Sequence, residues 1–331
     1  MPLILGLLAA LGIILLANYL VLIDIDRYKR LFDGLLLVLN IPVLLFGGFL
    51  VLAPPQTLAD LQPDMALAFP NQAAYGAMLA AIALWDMLVC LRPLRQIMAR
   101  WLPLDSTSPV HTLALMLSGI LAGTTLLTLT QGGLEGVAET AVSTPLIDFV
   151  FQQALFILLA LLGVGLLVRR RLPELAKRLG LERPSWSQIR FGLRWIAILV
   201  FIQWAAGIIW ALASPDQSQL VEGINNVLLG NFDTVGEWFI VALGAGLGEE
   251  ILFRGAMQPI FGLWFTSIIF AIAHIQYGFT LVTILIFVIS AVLGYIRRRT
   301  NTTVAIFVHA GYDFVLGMFF LLATLLEKFI S

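Results

Sequence analysis

GLGEEILFRG, residues 246–255, places two adjacent glutamates and an arginine inside a stretch that is otherwise almost entirely apolar. A charged side chain at the centre of a bilayer costs about 2.5–3.5 kcal/mol on insertion scales, so ionisable residues in membrane segments are functional candidates by default. The alternative is that these three charges only mark the cytoplasmic end of a membrane helix. The rest of the chain decides between the two interpretations.

The composition is that of a membrane protein. Of the 331 residues, 60% are hydrophobic and 12% are charged, whereas soluble domains average about 25% charged residues. The formal net charge of -1 identifies no partner, and we expect a lipid bilayer and no nucleic acid. The single cysteine, Cys90, excludes a disulfide framework. Because it lies in an apolar run, we interpret it as a small buried hydrophobic residue.

Apolar stretches near the bilayer length of about 20 residues predict an all-α, polytopic fold with about ten transmembrane helices. The stretches lie near residues 2–23, 31–53, 71–91, 113–131, 145–168, 191–213, 234–257, 263–276, 280–296 and 302–326. The eighth is short. The first lacks a basic segment before it and is long enough to span, so we expect a retained helix and not a cleaved signal peptide.

The charges of the connections predict the orientation. Basic residues follow the odd-numbered stretches, including Arg27, Lys29, Arg30, Arg92, Arg95, Arg100, Arg169, Arg170, Arg171, Arg297, Arg298 and Arg299. The even-numbered connections carry no Lys or Arg, and their charged residues are acids such as Asp60, Asp64, Glu135, Glu139, Asp216 and Glu222. The positive-inside rule therefore places the basic loops in the cytoplasm and both termini outside, and we expect the plasma (inner) membrane.

The basic connection RRRLPELAKRLGLERPSW, residues 169–186, divides the chain. We expect an N-terminal region of five helices at 1–168, whose role the sequence does not indicate, and a cytoplasmic linker at 169–190. A C-terminal helical region follows at 191–331, with its catalytic core in the last four helices. Within the linker, LPELAKRL is compatible with a basic amphipathic helix on anionic headgroups or with a plain solvated linker.

Polar residues of three predicted helices lie at similar depth. At 1.5 Å per residue, Glu249 lies roughly 12 Å from the cytoplasmic end of its helix, His274 roughly 16 Å and His309 roughly 13 Å. Independent charges at helix ends would not be expected to agree in this way, so we predict a single site near mid-membrane. The third histidine, His111, lies at a predicted membrane boundary, and we do not expect it to belong to this site.

The spacing of the charges separates the two glutamates. Glu250 and Arg254 are four residues apart, share a helix face and can neutralise each other. Glu249 points about 100° away and is left unpaired along its own helix. Three glycines nearby allow another backbone to approach this helix closely, namely Gly244, Gly246 and Gly248.

The histidines also have partners at helical spacing. Phe270 shares a face with His274, and Asp313 shares a face with His309 and can orient or polarise it. A glutamate–histidine pair can activate water, and a second histidine can donate to the oxyanion of a peptide carbonyl. Alternatively, the two imidazoles with a carboxylate match the ligands of a catalytic Zn²⁺. No HExxH motif is present, so the sequence leaves the metal undetermined. Because there is neither a GxSxG motif nor a cysteine near the site, water attack is favoured over covalent catalysis.

These motifs resemble the CPBP family, the type II CAAX prenyl endopeptidases and bacteriocin-processing proteins. The family pattern is EExxxR, FxxxH and HxxxN or HxxxD on successive membrane helices, matched here by Glu249, Glu250, Arg254, Phe270, His274, His309 and Asp313. The resemblance covers roughly 234–326 and implies intramembrane proteolysis of a peptide or membrane-protein substrate. It implies that Glu249 and His274 activate water and that His309 with Asp313 stabilises the oxyanion.

One position departs from the prenyl-protease pattern. Those members carry Asn where this chain has Asp313, which favours either an ion held by Glu249, His274, His309 and Asp313 or a charge-stabilised imidazolium. Two other function classes stay open. A transporter or channel would use the same buried groups to relay protons or bind a cation, and a non-catalytic peptide-binding, immunity or scaffold protein could retain every motif.

Overall fold

The computed structural model describes residues 2–54, 71–129 and 133–330, whose regular structure is entirely helical. The all-α, polytopic fold that the sequence predicts is confirmed. Asp60 and Asp64 of the predicted acidic connection lie outside the described residues. The chain forms two compact units, Met1–Gly136 and Val137–Ser331. The second unit therefore includes the fifth predicted membrane stretch.

The first unit is built from five described helices. They are α1 (Pro2–Ile23), α2 (Asp26–Leu52), α3 (Gln72–Cys90), α4 (Arg92–Met98) and α5 (Pro109–Leu129). Helix α2 packs mainly on α3, where Gly47 lets the two backbones touch: a Cβ there would lie 2.7 Å from the amide nitrogen of Ala80. Cys90 is buried. Helix α6 (Gly133–Thr140) extends across the boundary between the units.

A buried ion-pair network closes one end of the first unit. Asp33 on α2 binds Arg95 of α4 at 2.7 Å, and the guanidinium of Arg95 also donates to the carbonyl oxygens of Val89 and Ser106. Arg95 is fully buried. Asp33 therefore has basic partners on another helix, which its own neighbours in the sequence did not indicate.

The second unit contains the remaining helices. They are α7 (Leu146–Gly163), α8 (Leu172–Leu179), α9 (Trp186–Ala213), α10 (Pro215–Leu229), α11 (Val235–Glu249), α12 (Gln258–Ile272), α13 (Leu281–Arg299) and α14 (Thr302–Ile330). A π-helix, Glu250–Met257, joins α11 to α12, and a 3₁₀ turn, Ile275–Tyr277, follows α12. Helix α11 lies between α7 and α14, and α12 packs on α13.

Seven helical segments among the described residues are long and apolar enough to cross a membrane. They are Asp26–Leu52, Gln72–Cys90, Leu146–Gly163, Trp186–Ala213, Val235–Ile272, Leu281–Arg299 and Thr302–Leu326, with shorter apolar helices at Leu8–Ile23 and Pro109–Thr125. All ten predicted stretches fall on helices, but some ends differ. The fifth ends at Gly163 and not near 168, because Gly165 and Leu167 take positive φ values and turn the chain.

Two predicted helices are one continuous segment with a bend. The stretches near 234–257 and 263–276 merge into Val235–Ile272, and the separation between them is a kink at Gly262, whose φ of 74° and ψ of 175° are not helical. Glycine adopts this conformation without the penalty that a side chain would bring. The kink leaves only residues 263–272 for the eighth predicted span.

The segment LPELAKRL is a helix, but its packing differs from both alternatives, a helix on headgroups and a plain solvated linker. Leu175 and Leu179 of α8 are buried against Ile251 and Ile306, so the apolar face of this helix packs on protein. Gly180 ends the helix in the left-handed conformation, and Thr302 at the start of α14 donates to its carbonyl oxygen at 2.9 Å. The linker is thus a docked part of the second unit.

Candidate active site

The predicted site residues come from three regions of the second unit. Glu249 is the last residue of α11 and Glu250 the first of the π-helix, His274 follows α12, and His309 and Asp313 lie on α14. The four-residue spacing of Glu250 and Arg254 predicted an α-helix here, whereas the segment is a π-helix. Such segments are rare and are frequently found at functional sites.

Glu250 and Arg254 pair as the sequence predicts. Nε of Arg254 lies 3.3 Å from Oε2 of Glu250, and both side chains are completely buried. Nη2 of Arg254 also donates to the backbone oxygen of Ser290 at 3.2 Å and to its hydroxyl at 3.1 Å. Arg254 therefore ties the π-helix to α13, a contact that the sequence did not predict.

Glu250 has a second partner that sequence reasoning missed. Its Oε1 lies 2.9 Å from Nδ1 of His309. The other ring nitrogen of His309, Nε2, lies 3.3 Å from Oδ2 of Asp313. A carboxylate can only accept hydrogen bonds, so Nδ1 of His309 donates to Glu250, and Asp313 favours a proton on Nε2 as well. Asp313 thus orients His309 from one side and Glu250 holds it from the other.

Glu249 faces His274 without touching it. Its Oε2 lies 3.9 Å from Nε2 of His274, and this oxygen is buried with no hydrogen-bond partner among the described residues. Nδ1 of His274 lies 2.8 Å from the backbone oxygen of Phe270. Since a carbonyl oxygen only accepts, Nδ1 carries the proton in the neutral ring, and Nε2 presents its lone pair to Glu249.

Phe270 lies at the centre of these groups. Its ring centroid is 4.7 Å from that of His274 and 6.2 Å from that of His309, and the guanidinium carbon of Arg254 lies 4.6 Å above it. Arg254 and both histidines are therefore packed around one aromatic ring. This explains why Phe270, four residues before His274, belongs to the site although its side chain has no acidic, basic or nucleophilic group.

Tyr277 is a site residue that the sequence analysis did not identify. It lies in the 3₁₀ turn directly after His274, and its hydroxyl is within electrostatic range of Asp313 and Glu249. Burial, together with these two carboxylates, raises the pKa of the phenol, against a hydrogen bond with Gln276 that lowers it. Tyr277 is therefore a protonated donor at neutral pH. Its position three residues after an intramembrane histidine was the available signal.

The donor set does not fit a metal ion in the observed arrangement. No group of three or more His, Cys, Asp or Glu side chains within the described ranges is placed to hold one. Both ring nitrogens of His309 face carboxylates, so neither is free to bind an ion. His111 lies in the first unit, where its Nδ1 accepts a hydrogen bond from the backbone nitrogen of Asp105 at 2.8 Å.

These features define a class: an all-helical membrane protein with a buried carboxylate–histidine site assembled from separate helices. Residues 231–315, about a quarter of the chain, match the family model described as "Type II CAAX prenyl endopeptidase Rce1-like". The match supports the family that the three motifs predicted: residues 231–315 are similar to the CPBP family of membrane proteases. No curated protein and no solved structure matches the chain.

Proposed function

We propose that the protein is an intramembrane endopeptidase that hydrolyses a peptide bond with water activated by Glu249 and His274. The observation that carries the proposal is the 3.9 Å separation between Oε2 of Glu249 and Nε2 of His274. This distance is too long for a direct hydrogen bond and suits two acceptors that bind one water molecule. The family match supports the protease class.

In the proposed reaction Glu249 is the general base. It takes a proton from the water whose oxygen attacks the peptide carbonyl carbon, while His274 orients that water through Nε2. The C–N bond then breaks as Glu249 returns the proton to the leaving amine. This sequence consumes one water and leaves Glu249 as it began. No covalent intermediate on the protein is needed.

The charge that develops on the carbonyl oxygen needs a stabilising partner. We assign this role to the positively charged ring of His309, which Glu250 and Asp313 hold in place. The phenol of Tyr277 is a second donor, within electrostatic range of Asp313 and Glu249. Both nitrogens of His309 already face carboxylates. The ring therefore stabilises the oxyanion through its charge alone, or Nε2 leaves Asp313 and donates a hydrogen bond to the carbonyl oxygen of the substrate.

The orientation of the site follows from the basic connections. We propose that the end of the second unit that carries Arg169, Arg170 and Arg297 faces the cytoplasm, in agreement with the positive-inside rule. A peptide would then enter from the cytoplasmic side. The proposal covers hydrolysis of a peptide bond and makes no assignment of a lipid group on the substrate.

The test is turnover of a peptide library by the purified full chain in nanodiscs, with products identified by mass spectrometry. Glu249→Gln is expected to lower the rate about 10²–10⁴-fold, as for loss of a general base, with little change in stability. Glu222→Gln is the matched control, since Glu222 is an exposed residue of α10. A Glu249→Gln protein that cleaves as fast as the wild type would exclude the assigned role. Ion flux in proteoliposomes without any cleavage would instead favour the transporter class.

A further inference from the structure

A group of arginines lies at one end of the second unit. Arg169 and Arg170 are in the turn after α7, Arg178 is on α8, and Arg297 is near the end of α13. The guanidinium of Arg178 is within electrostatic range of those of Arg170, Arg297 and Arg169. Burial and then these three neighbours lower the pKa of Arg178 to about 10, so it stays charged at neutral pH. Four like charges thus converge from three separate segments.

Carboxylates among the described residues do not compensate the charges of Arg170, Arg178 and Arg297. Among the described residues, no Asp or Glu forms an ion pair with Arg170, Arg178 or Arg297. Arg178 donates instead to the backbone oxygen of Gly255, and Arg170 to that of Val164. Nε of Arg297 is buried and has no hydrogen-bond partner within the described part of the chain. Elsewhere the protein pairs its buried arginines with acids, as Arg95 does with Asp33 and Arg254 with Glu250. Arg170, Arg178 and Arg297 therefore lack an anionic partner within the described part of the chain.

The cluster lies where membrane spans end. Helix α7 ends at Gly163 and α13 at Arg299, while α9 begins at Trp186 and α14 at Thr302. Ends of spans coincide with the headgroup region, where arginine and tryptophan are common. Leu167, Leu172 and Trp186 beside the cluster are each more than two-thirds exposed, as expected for side chains that contact lipid.

The turn after α7 holds one of these side chains outward. Leu167 has a φ of 70°, a conformation that is uncommon for a residue other than glycine. The turn is fixed by bonds from the backbone nitrogens of Arg169 and Arg170 to the oxygen of Gly165, at 2.9 and 3.0 Å. An exposed leucine and two arginines are thus presented together by an ordered turn.

We propose that Arg169, Arg170, Arg178 and Arg297 form a binding site for a phosphate group, supplied by the headgroup of an acidic phospholipid. Guanidinium groups bind phosphate through paired hydrogen bonds, and basic pockets between membrane helices on the cytoplasmic side are suited to anionic headgroups. The bound lipid would fasten α8 to the membrane through arginine side chains and not through the leucines of its apolar face, which pack on protein. Since Arg178 also donates to Gly255, the lipid would brace the π-helix that carries Glu250 and Arg254.

The test compares the full chain in nanodiscs of phosphatidylcholine alone and in nanodiscs that also contain phosphatidylglycerol. The wild type is expected to unfold several degrees higher with the acidic lipid, and to retain phosphatidylglycerol after transfer into a neutral detergent. Each arginine is expected to change the affinity for acidic lipid about fivefold. Arg178→Gln with Arg297→Gln should therefore abolish most of the shift. Arg183→Gln, an exposed arginine of the same connection, should retain it.

Several outcomes would overturn the proposal. Equal unfolding temperatures of the wild type in the two lipids would do so without any variant, and Arg170→Gln provides a second variant if the double substitution does not fold. If Arg183→Gln lost as much of the shift in unfolding temperature as the double substitution, the acidic lipid would be attracted diffusely and not bound at a site. Inorganic phosphate or glycerol phosphate that reproduces the shift in neutral nanodiscs would assign the cluster to a soluble ligand. Stabilisation by an acidic peptide and not by lipid would assign it to substrate. None of these measurements depends on catalysis.

Discussion

Glu249 and Glu250 are neighbours in the chain, but their carboxylates have different surroundings. Glu250 forms ion pairs with Arg254 at 3.3 Å and with His309 at 2.9 Å, whereas Oε2 of Glu249 lies 3.9 Å from Nε2 of His274. A carboxylate held by two cationic partners is poorly placed to take a proton from water. A carboxylate without such partners, opposite an imidazole lone pair, is well placed to do so.

Removal of the Glu250 charge is expected to affect both stability and turnover. Glu250→Gln leaves Arg254 buried without its ionic partner, a change that costs about 3–5 kcal/mol of unfolding free energy in comparable pairs. The same substitution loosens His309, so turnover should fall as well. Unfolding in mixed micelles and peptide cleavage measure the two effects.

The double variant Glu250→Gln with Arg254→Gln should recover part of the stability, because no unpaired charge remains. It should not recover turnover, since His309 still lacks its partner. Glu222→Gln again serves as the control. If the double variant lost more unfolding free energy than the two single variants lose in sum, this result would contradict the assigned ion pair.

Tyr277→Phe tests whether the phenol acts on the substrate. Since its pKa is raised above the ordinary value, the hydroxyl stays protonated through neutral and mildly alkaline pH. Loss of this donor should lower kcat by a constant factor between about pH 6 and pH 9 and leave the unfolding temperature unchanged. Tyr295→Phe on α13 is the control. A variant that alters stability and not kcat would show that Tyr277 is only structural.

At the level of helices, the sequence predicted which segments meet but not how each is built. Equal depth in the membrane predicted a single site for Glu249, His274 and His309, but that estimate assumed that His274 lies within a span, whereas its helix ends at Ile272. The contact between Glu250 and His309 joins residues far apart in the chain. No periodicity within one helix contains that information, and neither the π-helix nor the kink at Gly262 has a periodic signal.

The close packing of α11 on α14 positions Glu249 relative to His309. A Cβ at Gly246 would lie 2.9 Å from Cβ of Ala310 and 3.0 Å from its backbone nitrogen, so Gly246→Ala must push the two helices apart. We expect a loss of about 1–3 kcal/mol of unfolding free energy and a lower rate of cleavage. The measurements are unfolding in mixed micelles and peptide turnover.

Gly207→Ala on α9 is the matched control for this substitution, since a Cβ there meets nothing within 4 Å. In a helix interior the same change is expected to stabilise by roughly 0.5–1 kcal/mol. If Gly246→Ala were as stable and active as Gly207→Ala, the close approach of α11 and α14 would not matter for the site.

Across the whole molecule, the sequence predicted the number of hydrophobic stretches better than the partners of buried charges. The spans are set by length and hydropathy, which are local. The fold of the first unit brings Asp33 and Arg95 into an ion pair, and the apolar face of α8 packs on other residues of the second unit. Such pairings depend on tertiary contacts, so the alternatives for LPELAKRL could not be separated from residues 172–179 alone.

Metal dependence distinguishes two chemistries for the whole enzyme. A catalytic Zn²⁺ needs three protein ligands at about 2.0–2.2 Å from one ion, and no three acidic, histidine or cysteine side chains of the described residues are so arranged. For an ion to bind, His309 would have to release Glu250 or Asp313 and so give up one of its two ion pairs. We therefore expect cleavage to continue in the presence of a chelator. Protein purified without added metal should contain no stoichiometric zinc in elemental analysis. Stoichiometric zinc that disappears together with activity in His309→Ala would overturn the proposed mechanism and assign water activation to the metal.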